Sequence, residues 1–153
     1  MRSTLDTNIL INLGRIYPRD IFGSLWDSIE SAITNGEVCI CAAVLRELNR
    51  GGDVLHSWAK SFPGFTCQPT ADELMTVAEI GLAHPDWVQG QLNEADPFVV
   101  AHAKWNHAPI VTEENRKGPG TIDENLKIPN VADEHGVKCQ KFFEFVRSQG
   151  WSF

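Results

Sequence analysis

Short apolar runs alternate along this chain with longer segments whose apolar residues recur every three or four positions. That alternation restricts the fold more than any other feature. A run too short for a helix, then an amphipathic helix, then another short run is the pattern of a parallel sheet with helical crossovers. The runs fall at residues 2–5, 37–41, 65–67, 109–112 and 137–139. Helices are expected at 7–13, 20–35, 42–49, 55–62, 70–83, 96–107, 129–135 and 140–149. The helix at 20–35 is patterned most clearly: Ile21, Phe22, Leu25, Trp26, Ile29 and Ile33 are spaced by 3 and 4 before Asn35 and Gly36 stop it. Thr70 and Glu73 have the spacing of a capping box. Asp96 followed by Pro97 reads as an N-cap and first helical residue. The stretch 113–127, with Gly118, Pro119 and Gly120 inside it, is the most loop-like. The expected architecture is a three-layer α/β/α fold around a short, mainly parallel central sheet. No linker divides the chain, so one domain over residues 1–153 is expected.

Composition narrows the function. The net charge is −7, which argues against gripping nucleic acid through a basic surface alone. It leaves open an enzyme that meets phosphate through a cation, because carboxylates gathered for that purpose make the apo chain acidic. No apolar run approaches the ~18 residues of a membrane span. Residues 1–6 lack the apolar core of a secretory signal, so a cytoplasmic protein is expected. Cys39, Cys41, Cys67 and Cys139 form no CxxC pair. They are expected as reduced core thiols, rather than as a disulfide or a soft-metal site.

The informative residues are acidic. Asp6 stands where the first run hands over to a helix, the edge of a parallel sheet where ligands bind. A simple helix cap would explain it equally well. Glu47 edges the apolar stripe of Val44, Leu45 and Leu48, although an ordinary exposed helical glutamate reads the same way. Asp96 opens a helix. Glu113 and Glu114 follow the run at 109–112, so one can point inward and the other outward. No position is specific alone. Together they place several carboxylates at one sheet edge, where they repel unless a cation sits among them. Oxygen-only ligation suits Mg²⁺ or Mn²⁺.

These residues carry a resemblance. Leu5-Asp6-Thr7-Asn8-Ile9-Leu10 resembles the opening motif of PIN-domain nucleases, including VapC-type toxins. Val44-Leu45-Arg46-Glu47 resembles their second acidic motif. Ala95-Asp96, with Val99 to Ala103 behind it, resembles the third, and Ile110-Val111-Thr112-Glu113-Glu114 the fourth. The motifs keep the family's order over essentially the whole chain. The Ala-Asp-Pro form and Lys127-Ile128-Pro129-Asn130-Val131 look like a PIN-like branch linked to toxin–antitoxin gene pairs. Many members have Thr-x-Asp at the fourth motif. The same spacing from Thr112 reaches Glu114 here, which makes Glu114 the preferred fourth acid and Glu113 the alternative.

The resemblance implies metal-dependent cleavage of RNA by a toxin that pairs with an antitoxin protein, with homodimerisation common. Asp6 and Asp96 are then direct metal ligands, and Glu47 and Glu114 assist. Asn8 and Thr112 support the site, while Arg116 and Lys117, on the loop just past the fourth motif, are either solvated loop residues or contacts to substrate phosphate. His102, six residues past Asp96, points away from it as a packed or surface histidine. One rival is the same fold serving as a binding module without catalysis. Another, a haloacid-dehalogenase-like phosphatase, needs an aspartate where Asn8 stands.

Overall fold

The computed structural model describes residues 2–153. β1 (Ser3–Leu5) leads to α1 (Thr7–Ile16) and α2 (Gly23–Thr34), and β2 (Val38–Cys41) to α3 (Ala42–Arg50) and α4 (Asp53–Lys60). β3 (Thr66–Cys67) precedes α5 (Ala71–Ala83) and α6 (Asp96–Trp105). After β4 (Ile110–Val111) come a loop with one 3-10 turn (Asp123–Asn125), α7 (Ile128–Glu134), β5 (Cys139–Gln140) and α8 (Phe142–Ser148).

The five strands pair in the order β3-β2-β1-β4-β5, every pair parallel. Register places Thr4 beside Cys39 and Ile110, and Cys41 beside Cys67. Every residue of β1 and β2 is buried. That is the mark of a parallel sheet covered on both faces. Right-handed crossovers put α1 to α4 on one face, as the chain steps from β1 to β3. They put α5, α6 and α7 on the other, as it returns to β4 and β5. The core is a continuous cluster that includes Leu5, Ile9, Leu10, Ile29, Ile40, Val44, Val99, Val100, Ile110 and Phe145. Among the described residues no helix is long and apolar enough to cross a membrane.

The elements expected from the sequence are all present, with shifted ends. α2 starts at Gly23 because the amides of Ile21 and Phe22 close a turn onto the carbonyl of Pro18. β5 starts at Cys139 rather than 137, because the amide of Val137 closes the end of α7 on the carbonyl of Ala132. Gly136, at φ 67°, permits that reversal. The capping box of α5 forms: Thr70 Oγ1 accepts from the Glu73 amide at 3.2 Å, and Glu73 Oε2 accepts from the Thr70 amide at 2.6 Å.

Candidate active site

β1 is the switch point of the sheet. The chain runs from it to β2 and β3 on one side, then to β4 and β5 on the other. The carboxyl ends of β1 and β4 therefore flank a crevice of the kind that binds ligands in open α/β sheets. Asp6 follows β1 and Thr112 follows β4, so the sheet itself sets them side by side.

Asp6 is 4% exposed and caps α1. Its Oδ1 accepts from the Thr7 amide at 2.7 Å, and its Oδ2 accepts from the Thr112 hydroxyl at 2.7 Å. Burial, reinforced by the charge of Glu114, pushes the Asp6 carboxyl up to about 7, against the pull of the Thr112 and Thr7 donors. Thr112 Oγ1 in turn accepts from the Glu114 amide at 3.1 Å and from Asn8 Nδ2 at 3.4 Å. Asn8 Oδ1 accepts from the Glu113 amide at 3.2 Å. One hydroxyl and one amide side chain thus lock the start of α1 to the end of β4.

Asp96 departs from the expectation. Ala95, not Asp96, is the N-cap of α6, and no side chain caps this end. The shift follows from Asn93 in the left-handed region (φ 59°), which lets the Asp96 amide close a turn onto the Asn93 carbonyl. The helix therefore starts at Asp96 itself. Its carboxylate is 7% exposed, and among the described residues no donor hydrogen-bonds it. Burial, then the charges of Glu114, Asp6 and Glu47, hold this carboxyl well above the ordinary aspartate range.

Glu47, half-buried on α3, bridges two elements. Its Oε2 accepts from the Thr7 hydroxyl at 2.6 Å, and its Oε1 accepts from the Ala95 amide at 3.1 Å. Glu113 and Glu114 point to different places. Glu113 is exposed and accepts from the Phe142 amide at 2.8 Å, capping α8. Glu114 is half-buried, and its Oε2 accepts from the Ile128 amide at 3.2 Å. Burial raises the Glu114 carboxyl, and its charge acts on both Asp6 and Asp96. The fold thus brings Asp6, Glu47, Asp96 and Glu114 together and turns Glu113 away.

Two lysines that the sequence reading gave no place in the site belong to this neighbourhood. Lys127 offsets part of the negative charge on Asp96 and Glu114. Lys141 Nζ donates to the carbonyls of Glu113 and Glu114 at 2.6 and 2.9 Å and to Asn115 Oδ1 at 2.7 Å, pinning the loop that carries the fourth acid. The return of the 113–127 loop brings in Lys127, and the pairing of β5 with β4 brings in Lys141. Arg116 is engaged by Asp133 through two bonds of 2.5 and 2.8 Å. Lys117 is exposed and lines a hollow with Lys127. His102 is buried and directed away from the carboxylates, onto Glu73.

The oxygen set suits a hard divalent cation. The spacing is open: among the described residues, only Cys39, Cys67 and His102 form a group of three potential ligands within 4.8 Å of one another. An ion such as Mg²⁺, which retains several waters and takes one or two carboxylates directly, matches that looser spacing. The buried Asp96, without a side-chain or backbone donor and with its carboxyl raised by burial and by neighbouring carboxylates, is the strongest sign of fit, since a cation there would compensate its charge.

The family described as a domain of unknown function (DUF4411) matches residues 4–153. No curated protein matches the chain. Solved structures do. VapBC2 from Rickettsia felis, bound to a DNA fragment from its promoter, is 18% identical with a TM-score of 0.57, covering 93% of this chain and 99% of that one. FitAB bound to the IR36 DNA fragment is 18% identical with a TM-score of 0.52, covering 90% and 93%. FitAcB from Neisseria gonorrhoeae is 16% identical with a TM-score of 0.51, covering 89% and 94%. The fold is the PIN-domain fold that the motifs implied.

Proposed function

This chain belongs to the DUF4411 family, a domain of unknown function, and we propose that it is a divalent-metal-dependent endoribonuclease acting in the cytoplasm as the toxin of a toxin–antitoxin pair. The observation that carries this reading is the convergence of Asp6, Asp96, Glu47 and Glu114 at the switch point, with the Asp96 carboxylate buried and undonated. The whole of residues 1–153 would serve as one nuclease domain.

Asp6 and Asp96 would hold Mg²⁺ or Mn²⁺. When bound, such a cation makes a nearby water more acidic and offsets charge developing on a phosphate. The protein's own part is positioning. The Thr112 hydroxyl fixes Asp6 Oδ2, and the Thr7 amide fixes Oδ1, so the carboxylate meets a cation in one orientation. Glu47 ties α3 to the starts of α1 and α6, which keeps Asp6 and Asp96 at a set separation. Glu114 spends one oxygen on the Ile128 amide, leaving the other to orient water or a second ion. Lys117 and Lys127 present cations to the phosphates of a bound strand. Asn8 supports the site through Thr112, and Glu113 serves the fold by capping α8.

The neighbours are assemblies named as two-component complexes, VapBC2 and FitAB, which supports an antitoxin partner here too. A partner that covers the acidic crevice would block substrate entry, and a homodimer is compatible with that arrangement. The decisive experiment is cleavage of RNA by the purified chain with Mn²⁺, with Mg²⁺ and with EDTA, for wild type and Asp6→Asn. Cleavage that needs the metal and is lost in the variant supports the reading. Cleavage that survives EDTA and Asp6→Asn overturns it. Absence of both cleavage and Mn²⁺ binding favours a binding module.

A further inference from the structure

On the face of the sheet covered by α5 and α6, three side chains from three elements converge. Cys39 from β2 is 1% exposed, His102 from α6 is 6% exposed, and Cys67 from the edge strand β3 is half-buried. Their ligand atoms all lie within 4.8 Å of one another, and Cys39 Sγ is 3.3 Å from His102 Nε2. Tetrahedral Zn²⁺ with bonds of about 2.0–2.3 Å to nitrogen and sulfur separates its ligand atoms by roughly 3.5–3.8 Å. The three atoms therefore need only small adjustments to surround such an ion. We propose that Cys39, Cys67 and His102 form a zinc site, distinct from the carboxylate crevice, that clamps the edge strand β3 to β2 and α6.

The surroundings are those of a soft-metal ligand set. Glu73, 2% exposed, accepts from His102 Nδ1 at 2.6 Å. With Nδ1 donating to Glu73, Nε2 is the ring nitrogen left to ligate an ion beside the two sulfurs once it carries no proton. Carboxylate–histidine pairing of this kind orients metal-bound imidazoles. Arg2 Nη1 lies 3.6 Å from Cys67 Sγ and stabilises negative charge on that sulfur. Two thiolates balance the ion, and Arg2 balances Glu73. Binding releases the two thiol protons to solvent. Cys67, half-buried on an edge strand, gives the ion a way in and leaves the fourth position to solvent or one further donor.

Co²⁺ added to the EDTA-treated, reduced full-length protein tests this. One equivalent is expected to produce a sulfur-to-metal charge-transfer band and the intense visible bands of a tetrahedral ion. Zn²⁺ should bleach them and protect two of the four thiols from a thiol reagent. The signal should vanish in Cys67→Ser and persist in Asp6→Asn. Glu73→Gln, which keeps an oxygen for the Thr70 amide, should weaken binding by about 10–100-fold. Only the weak spectrum of an oxygen-ligated ion, equal reactivity of all thiols with and without Zn²⁺, or a Cys39–Cys67 disulfide in the protein isolated without oxidant would overturn the assignment. The wild-type spectrum and thiol count carry the result even if a variant folds poorly.

Discussion

The two aspartates differ in how the fold treats them. Asp6 has a donor on each oxygen, whereas Asp96, slightly less buried, has none. Asp96→Asn should therefore remove a penalty: the metal-free protein should melt at a higher temperature than wild type, while calorimetry detects no Mn²⁺ binding at the carboxylate crevice. A melting point below wild type would show that the carboxylate is compensated in the fold. Thr112→Val leaves both aspartates in place and removes the hydroxyl that orients Asp6. Metal-dependent cleavage should fall by roughly 10–100-fold, the usual effect of losing a group that orients a ligand. An unchanged rate would place Thr112 outside the mechanism.

Among the elements, the loop after β4 shows how one stretch divides its labour. Glu113 and Glu114 are adjacent, yet each receives the first amide of a different helix, α8 and α7 respectively. Glu113→Ala should cost ~0.5–2 kcal/mol in urea denaturation, the value of a helix cap, with cleavage intact. Glu114→Gln should do the reverse: nearly unaltered stability and lost cleavage. If Glu113 instead proved essential to cleavage, the assignment of the fourth acid would be inverted. The fourth motif was legible in the sequence as a pair in which only the resemblance favoured Glu114. A strand ending at Val111 cannot by itself say which of the next residues turns inward, because that depends on where α7 and α8 begin.

At the scale of the whole molecule, the carboxylate crevice links stability to pH. The Asp6 carboxyl lies at about 7 in the fold, raised chiefly by burial from its ordinary 3.8. A raised acid favours the fold when protonated, so this contribution is complete below about 4 and is lost as pH rises to about 7. Without metal, stability should drop across that window by on the order of a few kcal/mol, and Mn²⁺ should recover it at the alkaline end. Thermal melts from pH 4 to 8 with and without Mn²⁺ read this directly; parallel curves would refute it. Sequence alone determined the alternation of strands and helices, the capping box at Thr70, and the acidic residues that stand at strand ends and helix starts. These depend on local periodicity and local hydrogen bonding, which a linear chain displays. The tertiary structure decided the choice between Glu113 and Glu114 as neighbour of the aspartates, the missing cap at Asp96, the engagement of Arg116 by Asp133, and the arrival of Lys127. It also decided the meeting of Cys39, Cys67 and His102, which sequence patterning had assigned to separate packed positions. Those features depend on strand order and on how far each crossover carries the chain, and both are settled by packing between residues remote in sequence.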